Sequence, residues 1–116
     1  MHVVENRDGE VTVLAAVGVI KLGESAREFA SHLDRVLAEG SGPVLIDFED
    51  ITYMDSTGLG ELIAYLRRFE DEHRKLALVR PSRRIRALLE LTRLDRVFDI
   101  FESREEGMRF LRGSKE

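Results

Sequence analysis

The stretch Val44-Leu45-Ile46-Asp47-Phe48 constrains the fold most. It is nearly continuous in apolar residues and too short for an ordinary helix. Such a run fits a central strand covered on both faces, which requires other elements packed above and below it. A chain of 116 residues has room for one such core and not for two. One domain is therefore expected over residues 1–112, with a frayed tail over 113–116.

The rest of the chain reads as partners for that strand. Residues 3–5 and 11–17 are apolar, β-branched runs separated by Arg7-Asp8-Gly9-Glu10. Asp-Gly between two such runs predicts an antiparallel hairpin, because glycine accepts positive φ. Residues 18–23 read as a connection. Phe29, Leu33, Val36 and Leu37 then share one helical face. Ser25 with Glu28 three residues later is a capping-box pattern at the start of that helix, and Gly40 stops it. Residues 49–55 read as a loop with Ile51 and Tyr53 pointing inward. A second helix over residues 57–72 carries the stripe Leu59, Leu62, Ile63, Leu66 and Phe69, with Arg67, Arg68, Glu70 and Asp71 as its wet face.

Residues 75–79 form another buried strand, ended by Arg80-Pro81. Ser82 caps a third helix with Ile85, Leu88 and Leu89 inward. Residues 97–101 read as a last strand and 102–111 as a last helix, with Met108 and Leu111 packing back. The order is α/β: a mixed, mostly parallel sheet of about five strands, an N-terminal antiparallel hairpin and about four helices.

Composition excludes several classes of function. The formal net charge is −4, which argues against direct nucleic-acid binding. One segment runs the other way: Arg80, Arg83, Arg84, Arg86, Arg93 and Arg96 stand against Glu90 and Asp95. It reads either as a solvated helix face or as a basic surface for a partner protein or a phosphate. There is no cysteine, hence no disulfide framework and no thiolate chemistry. No apolar run approaches the ~20 residues of a membrane span, so a cytoplasmic protein without membrane insertion is expected. His2, His32 and His73 lack ligand-like spacing, so no metal is expected. No Gly-rich loop matches a phosphate or dinucleotide fingerprint, and Gly-x-Ser-x-Gly is absent. Asp47 and Asp55 invite comparison with phosphoaspartate chemistry, but Ala15-Ala16-Val17 offers no acidic metal pocket. Lys75 reads as a surface lysine at a strand start. The expectation is a protein that is not an enzyme and needs no cofactor.

The informative stretch is Tyr53-Met54-Asp55-Ser56-Thr57-Gly58-Leu59-Gly60. Asp, Ser and Thr at a helix start can bond the unpaired N–H groups of the first turn. Simple capping is one reading. Two features exceed it. Three consecutive oxygen-bearing side chains are present where one suffices. Gly58 and Gly60 also lie in the first turn, where each glycine costs roughly 1 kcal/mol against alanine. Such glycines bare a helix start and let another backbone approach closely. The second reading is therefore an accessible, hydroxyl-bearing helix N-terminus at the end of a sheet strand, where open α/β folds place their sites.

Asp55-Ser56-Thr57-Gly58-Leu59-Gly60, with the lead-in Asp50-Ile51-Thr52-Tyr53-Met54, resembles the phosphorylation motif of STAS-domain anti-sigma factor antagonists. The strand before it, the helix after it and the segment from Ile85 to Leu94 followed by Val97-Phe98 are similar to that family as well. The resemblance implies that Ser56 accepts a phosphate from an anti-sigma factor that is also a serine kinase. It implies that the unphosphorylated chain binds that kinase and frees a sigma factor, and that a serine phosphatase restores binding. Asp55, Thr57, Gly58, Leu59 and Gly60 are then motif and partner-contact residues. One departure stands out: many members carry Gly-x-x-Asp after the second strand, whereas here Gly18-Val19-Ile20-Lys21 puts Lys21 where an acid is common. A cation there would favour a phosphate nearby. Two other readings stand beside this one. One is a non-phosphorylated STAS scaffold, such as an accessory subunit of a lipid-transport ATPase. The other is a phosphate- or nucleotide-binding module.

Overall fold

The computed structural model describes residues 1–113. The tail expected over 113–116 lies, from residue 114 onward, outside the described residues. The elements in chain order are β1 (His2–Asp8), β2 (Val11–Ile20), α1 (Glu24–Glu39), β3 (Val44–Met54), α2 (Ser56–Asp71), β4 (Leu76–Val79), α3 (Arg83–Leu91), β5 (Asp99–Phe101) and α4 (Arg104–Leu111), with a 3₁₀ turn at Leu94–Arg96. The strands lie in the order β1-β2-β3-β4-β5. The first pair is antiparallel and the others are parallel.

The hairpin turns at Gly9, whose φ of 65° is the left-handed value that glycine takes without strain. The parallel strands need crossovers, and α1, α2 and α3 provide them. Sequential strands joined by crossovers of one hand place all three helices on one face of the sheet. Phe29 and Leu33 of α1, Leu62 and Phe69 of α2, and Ile85 and Leu89 of α3 accordingly share one core with Leu14, Val44, Ile46, Phe48 and Leu78 of the strands. The alternate strand residues Val11, Val13, Leu45, Ala77 and Val79 point to the opposite face. There α4 covers them with Met108 and Leu111. The central run is therefore buried on both faces.

Three sequence expectations are corrected. First, residues 49–55 are not a loop: β3 continues to Met54. Its pairing with β2 shifts register between Ala15 and Val17, and again between Gly18 and Val19. Each shift sets an extra β3 residue against β2 and reverses which face the next side chain takes. Phe48, Ile51 and Met54 thus face the same core at a spacing that breaks the period-2 pattern. Ile51 is inward as expected, but Tyr53 is 42% exposed, because Met54 takes the inward place. Second, residues 18–23 are not all connection, since β2 runs to Ile20. Third, Ser25 and Glu28 form no capping box. Gly23, at φ 113°, is the N-cap of α1, and no side chain caps that helix. The Ser25 hydroxyl instead accepts from the Lys21 N–H (3.0 Å) and donates to the Lys21 carbonyl (3.1 Å). Gly23 adopts the positive φ that starts the helix before Ser25 can cap it.

The last helix is fastened by a polar cluster. Asp47, on the α4 side of β3, is 3% exposed. Its carboxylate accepts from Arg80 Nη2 (2.5 Å), Arg104 Nε (2.8 Å) and the Glu49 N–H (3.0 Å). Burial alone would push its pKa up; the bonds from Arg80, Glu49 and Arg104 outweigh that and hold it below the usual value. The cluster joins β3, the end of β4 and the start of α4.

Removing a buried carboxylate leaves its cations unpaired, a loss toward the low end of the usual range because both arginines keep water. Asp47→Ala is expected to cost about 2–3 kcal/mol in a urea melt at neutral pH. The depressed pKa sets the sign of the pH dependence: the contribution is full above the unfolded carboxylate value of about 3.9 and is lost as pH falls through the lower folded value. The difference between wild type and Asp47→Ala should therefore shrink only in strong acid.

Candidate functional site

The candidate site lies where β2 and β3 end side by side. Ile20 pairs with Met54, and the Asp55 N–H donates to the Ile20 carbonyl at 3.3 Å. Asp55 is the N-cap of α2 in extended conformation. One carboxylate oxygen accepts from the Gly58 N–H at 3.0 Å. The other accepts from the Leu22 N–H at 2.9 Å. A single side chain thus caps α2 and holds the connection between β2 and α1 against it. The N–H groups of Leu22 and Gly58 lower the Asp55 pKa, so it stays a carboxylate at neutral pH.

Because Asp55 does the capping, the next hydroxyl is left over. Ser56 is the first residue of α2 and is exposed. Among the described residues its hydroxyl has no hydrogen-bond partner. Thr57 is half-buried. Gly58 and Leu59 are buried, and Gly60 is exposed. The two glycines do different things. A Cβ on Gly58 would lie 2.5 Å from the Ile20 carbonyl oxygen and 2.8 Å from Met54 Cγ. The backbone that approaches Gly58 closely is therefore the chain's own. A Cβ on Gly60 would meet nothing within 4 Å.

All six motif residues, Asp55 to Gly60, sit at this one helix start. Lys21 is exposed in the connection that Asp55 holds through Leu22, and its backbone is bound by Ser25. The tie from Asp55 to Leu22 was not visible in the sequence, since it joins residues 33 positions apart. Among the described residues no group of three or more His, Cys, Asp or Glu side chains is placed to hold a metal. No helix among them is long and apolar enough to cross a membrane. Depressions of about 600 and 610 Å³ flank α4, and none of the motif's residues lines them.

One known family model matches most of the chain. The STAS domain matches residues 3–107. The chain belongs to the STAS domain family. The anti-sigma-B factor antagonist of Staphylococcus aureus is 31% identical over 78 residues, covering 67% of this chain and 72% of that protein. The crystal structure of a candidate anti-sigma factor antagonist from Thermotoga maritima superposes with a TM-score of 0.88 at 25% identity, covering 95% of this chain and 94% of that one. The Bacillus cell-fate determinant SpoIIAA in its phosphorylated form shares the fold, with a TM-score of 0.70 at 17% identity over 92% of this chain and 96% of that one.

The different surroundings of the two glycines can be measured. Gly58→Ala forces backbone apart and should cost about 1–3 kcal/mol, as overpacking does. Gly60→Ala has open space and should gain up to about 1 kcal/mol from helix propensity. Thermal or urea unfolding of both variants checks the contrast.

Proposed function

We propose that this chain is an anti-sigma factor antagonist that works as a phosphorylation-controlled protein-binding switch. Unphosphorylated at Ser56, it binds a serine-kinase anti-sigma factor and so releases a sigma factor. The kinase transfers phosphate to the Ser56 hydroxyl, which ends the binding, and a serine phosphatase resets it. Thr57, Gly60 and the backbone over buried Gly58 and Leu59 form the surface the partner touches. The observation that carries this reading is the division of labour at the start of α2: Asp55 makes the cap, and exposed Ser56 is left with a free hydroxyl. The names of the relatives point the same way.

The charge arithmetic supports action on binding rather than on folding. A phosphate adds about −1.5 to −2 charges at neutral pH. At a helix N-terminus the dipole favours that charge by ~0.3–1 kcal/mol. In a docked interface the same charge sits beside the Asp55 carboxylate and must be desolvated, which is costly. Lys21, near the same corner of the fold, offsets part of it.

Incubation with the cognate kinase and ATP should put phosphate on Ser56 by mass spectrometry; phosphate on Thr57 alone would contradict the assignment. Ser56→Ala should keep kinase binding, and Ser56→Glu should weaken it. Lys21→Asp should deepen the loss caused by Ser56→Glu more than it affects the wild type, a coupling that calorimetry on the four variants measures as a double-mutant cycle. Equal binding by Ser56→Ala and Ser56→Glu would favour a scaffold that is not phosphorylated.

A further inference from the structure

The sheet has two outer strands, β1 and β5. β5 is three residues long, whereas β1 runs over seven and pairs with β2 without a register shift. The unpaired N–H and C=O groups of an open edge are a template for another strand, and proteins blunt such edges with short strands, proline, lysine or a bulge. β1 has none of these. Gly9 and Glu10 form a two-residue turn between Asp8 and Val11. The pair that closes such a turn is hydrogen-bonded, and the pairs behind it alternate. Val3, Glu5 and Arg7 therefore direct their backbone groups away from β2. Glu5 and Arg7 are exposed, so α1 leaves this edge open.

The charges on β1 identify its partner. Two copies related by a two-fold axis pair antiparallel, with opposite side chains on the same face of the joined sheet. One residue of β1 then faces its own copy on the axis. An axis at Glu5 or at Arg7 sets like charges against each other, which is destabilising. An axis at Val4 leaves Glu5 opposite Val3, and an axis nearer either end of the strand shortens the overlap. An axis at Asn6 sets Glu5 of each copy opposite Arg7 of the other, giving two pairs of opposite charge. Arg7 makes no ion pair among the described residues, and Glu5 engages Arg35 through one oxygen, Oε1, at 3.0 Å. The same register sets Val4 opposite Asp8, whose charge Arg112 meets at 2.9 Å.

We propose that β1 is the pairing surface for a second copy of this chain, in a two-fold dimer centred on Asn6 that joins the two sheets edge to edge. Residues 4–8 of each copy overlap, about 17 Å of strand. Such an interface sits at the low end of interface sizes, so the dimer is weak and forms as concentration rises. Asn6 pairs with Val13, and Val13 pairs with Leu45 at the start of β3, whereas Ser56 follows the end of β3. The joined edge therefore lies toward the opposite end of the sheet from Ser56, and both copies keep the start of α2 accessible. Dimerisation through β1 is independent of the switch.

Sedimentation equilibrium of the full chain, from micromolar to millimolar concentration, should show monomers passing into dimers. Arg7→Glu should keep the wild-type melting temperature, since the side chain is exposed and unpaired. Arg7→Glu and Glu5→Arg should each raise the dissociation constant by about tenfold or more, because both cross-strand pairs become repulsive. An equimolar mixture of the two variants should recover dimers, because each variant meets the opposite charges of the other. The chain has no cysteine, so a single introduced thiol reports the register. Residues facing each other between hydrogen-bonded pairs lie about 4.5 Å apart at Cα, within disulfide reach. Asn6→Cys should therefore form a disulfide dimer under mild oxidation. Val4→Cys should not, since four residues of offset put it about 13 Å from its copy. A wild type that stays monomeric at millimolar concentration overturns the proposal. Dimers that survive Arg7→Glu unchanged use another face, and crosslinking through Val4→Cys in place of Asn6→Cys means another register; either result overturns it as well.

Discussion

The two hydrogen bonds accepted by Asp55 organise this corner of the molecule. One goes to the first turn of α2 and the other to the connection that follows β2. Without a carboxylate at that position, the end of β2 and the start of α2 would keep, among the described residues, the Asp55 N–H bond to Ile20 and their packing. Satisfying orphan helix donors with one residue is ordinary capping. Spanning to a second segment is what turns a cap into a joint. The joint also explains the glycine at position 58, which lies against Ile20 with no space for a side chain.

The sheet delivers this joint. β3 is eleven residues long and carries two register shifts against β2. Those shifts bring Ile20 and Met54 level at the end of both strands. On the other face, Asp47 holds α4 through Arg80 and Arg104. Farther along, Arg74 is buried and donates to the carbonyls of Val36, Leu37 and Gly42. It ties the end of α1 and the turn after it to the start of β4. Three charged side chains thus fix the places where helices meet the sheet, while the apolar layers fill the space between.

What could be read from the sequence was local. The Asp8-Gly9 turn, the Ser82 cap and the α2 stripe each rest on residues within a few positions of one another, and each is present. What could not be read depends on distant partners or on a broken period. The strand past Phe48 hid because two extra residues interrupt its alternation. Ser25 looked like a cap because nothing local reveals the conformation of Gly23. Asp47 reads as an interruption of an apolar run until Arg80 and Arg104 are placed beside it. At the candidate site, the cluster from Asp55 to Gly60 was legible. The separate tasks of Asp55 and Ser56, and the inward role of Gly58, were not.

In the proposed switch, a charge added to Ser56 changes what the chain binds and leaves its fold in place. Amide NMR with hydrogen exchange on the stoichiometrically phosphorylated chain tests that most directly. The joint should survive: shift changes should be confined to the ends of β2 and β3 and the first turn of α2, and the N–H groups of Leu22 and Gly58 should remain protected. Loss of protection along α2, with shifts spread through the core around Leu62 and Phe69, would mean that the phosphate acts by unfolding the helix and would contradict the account.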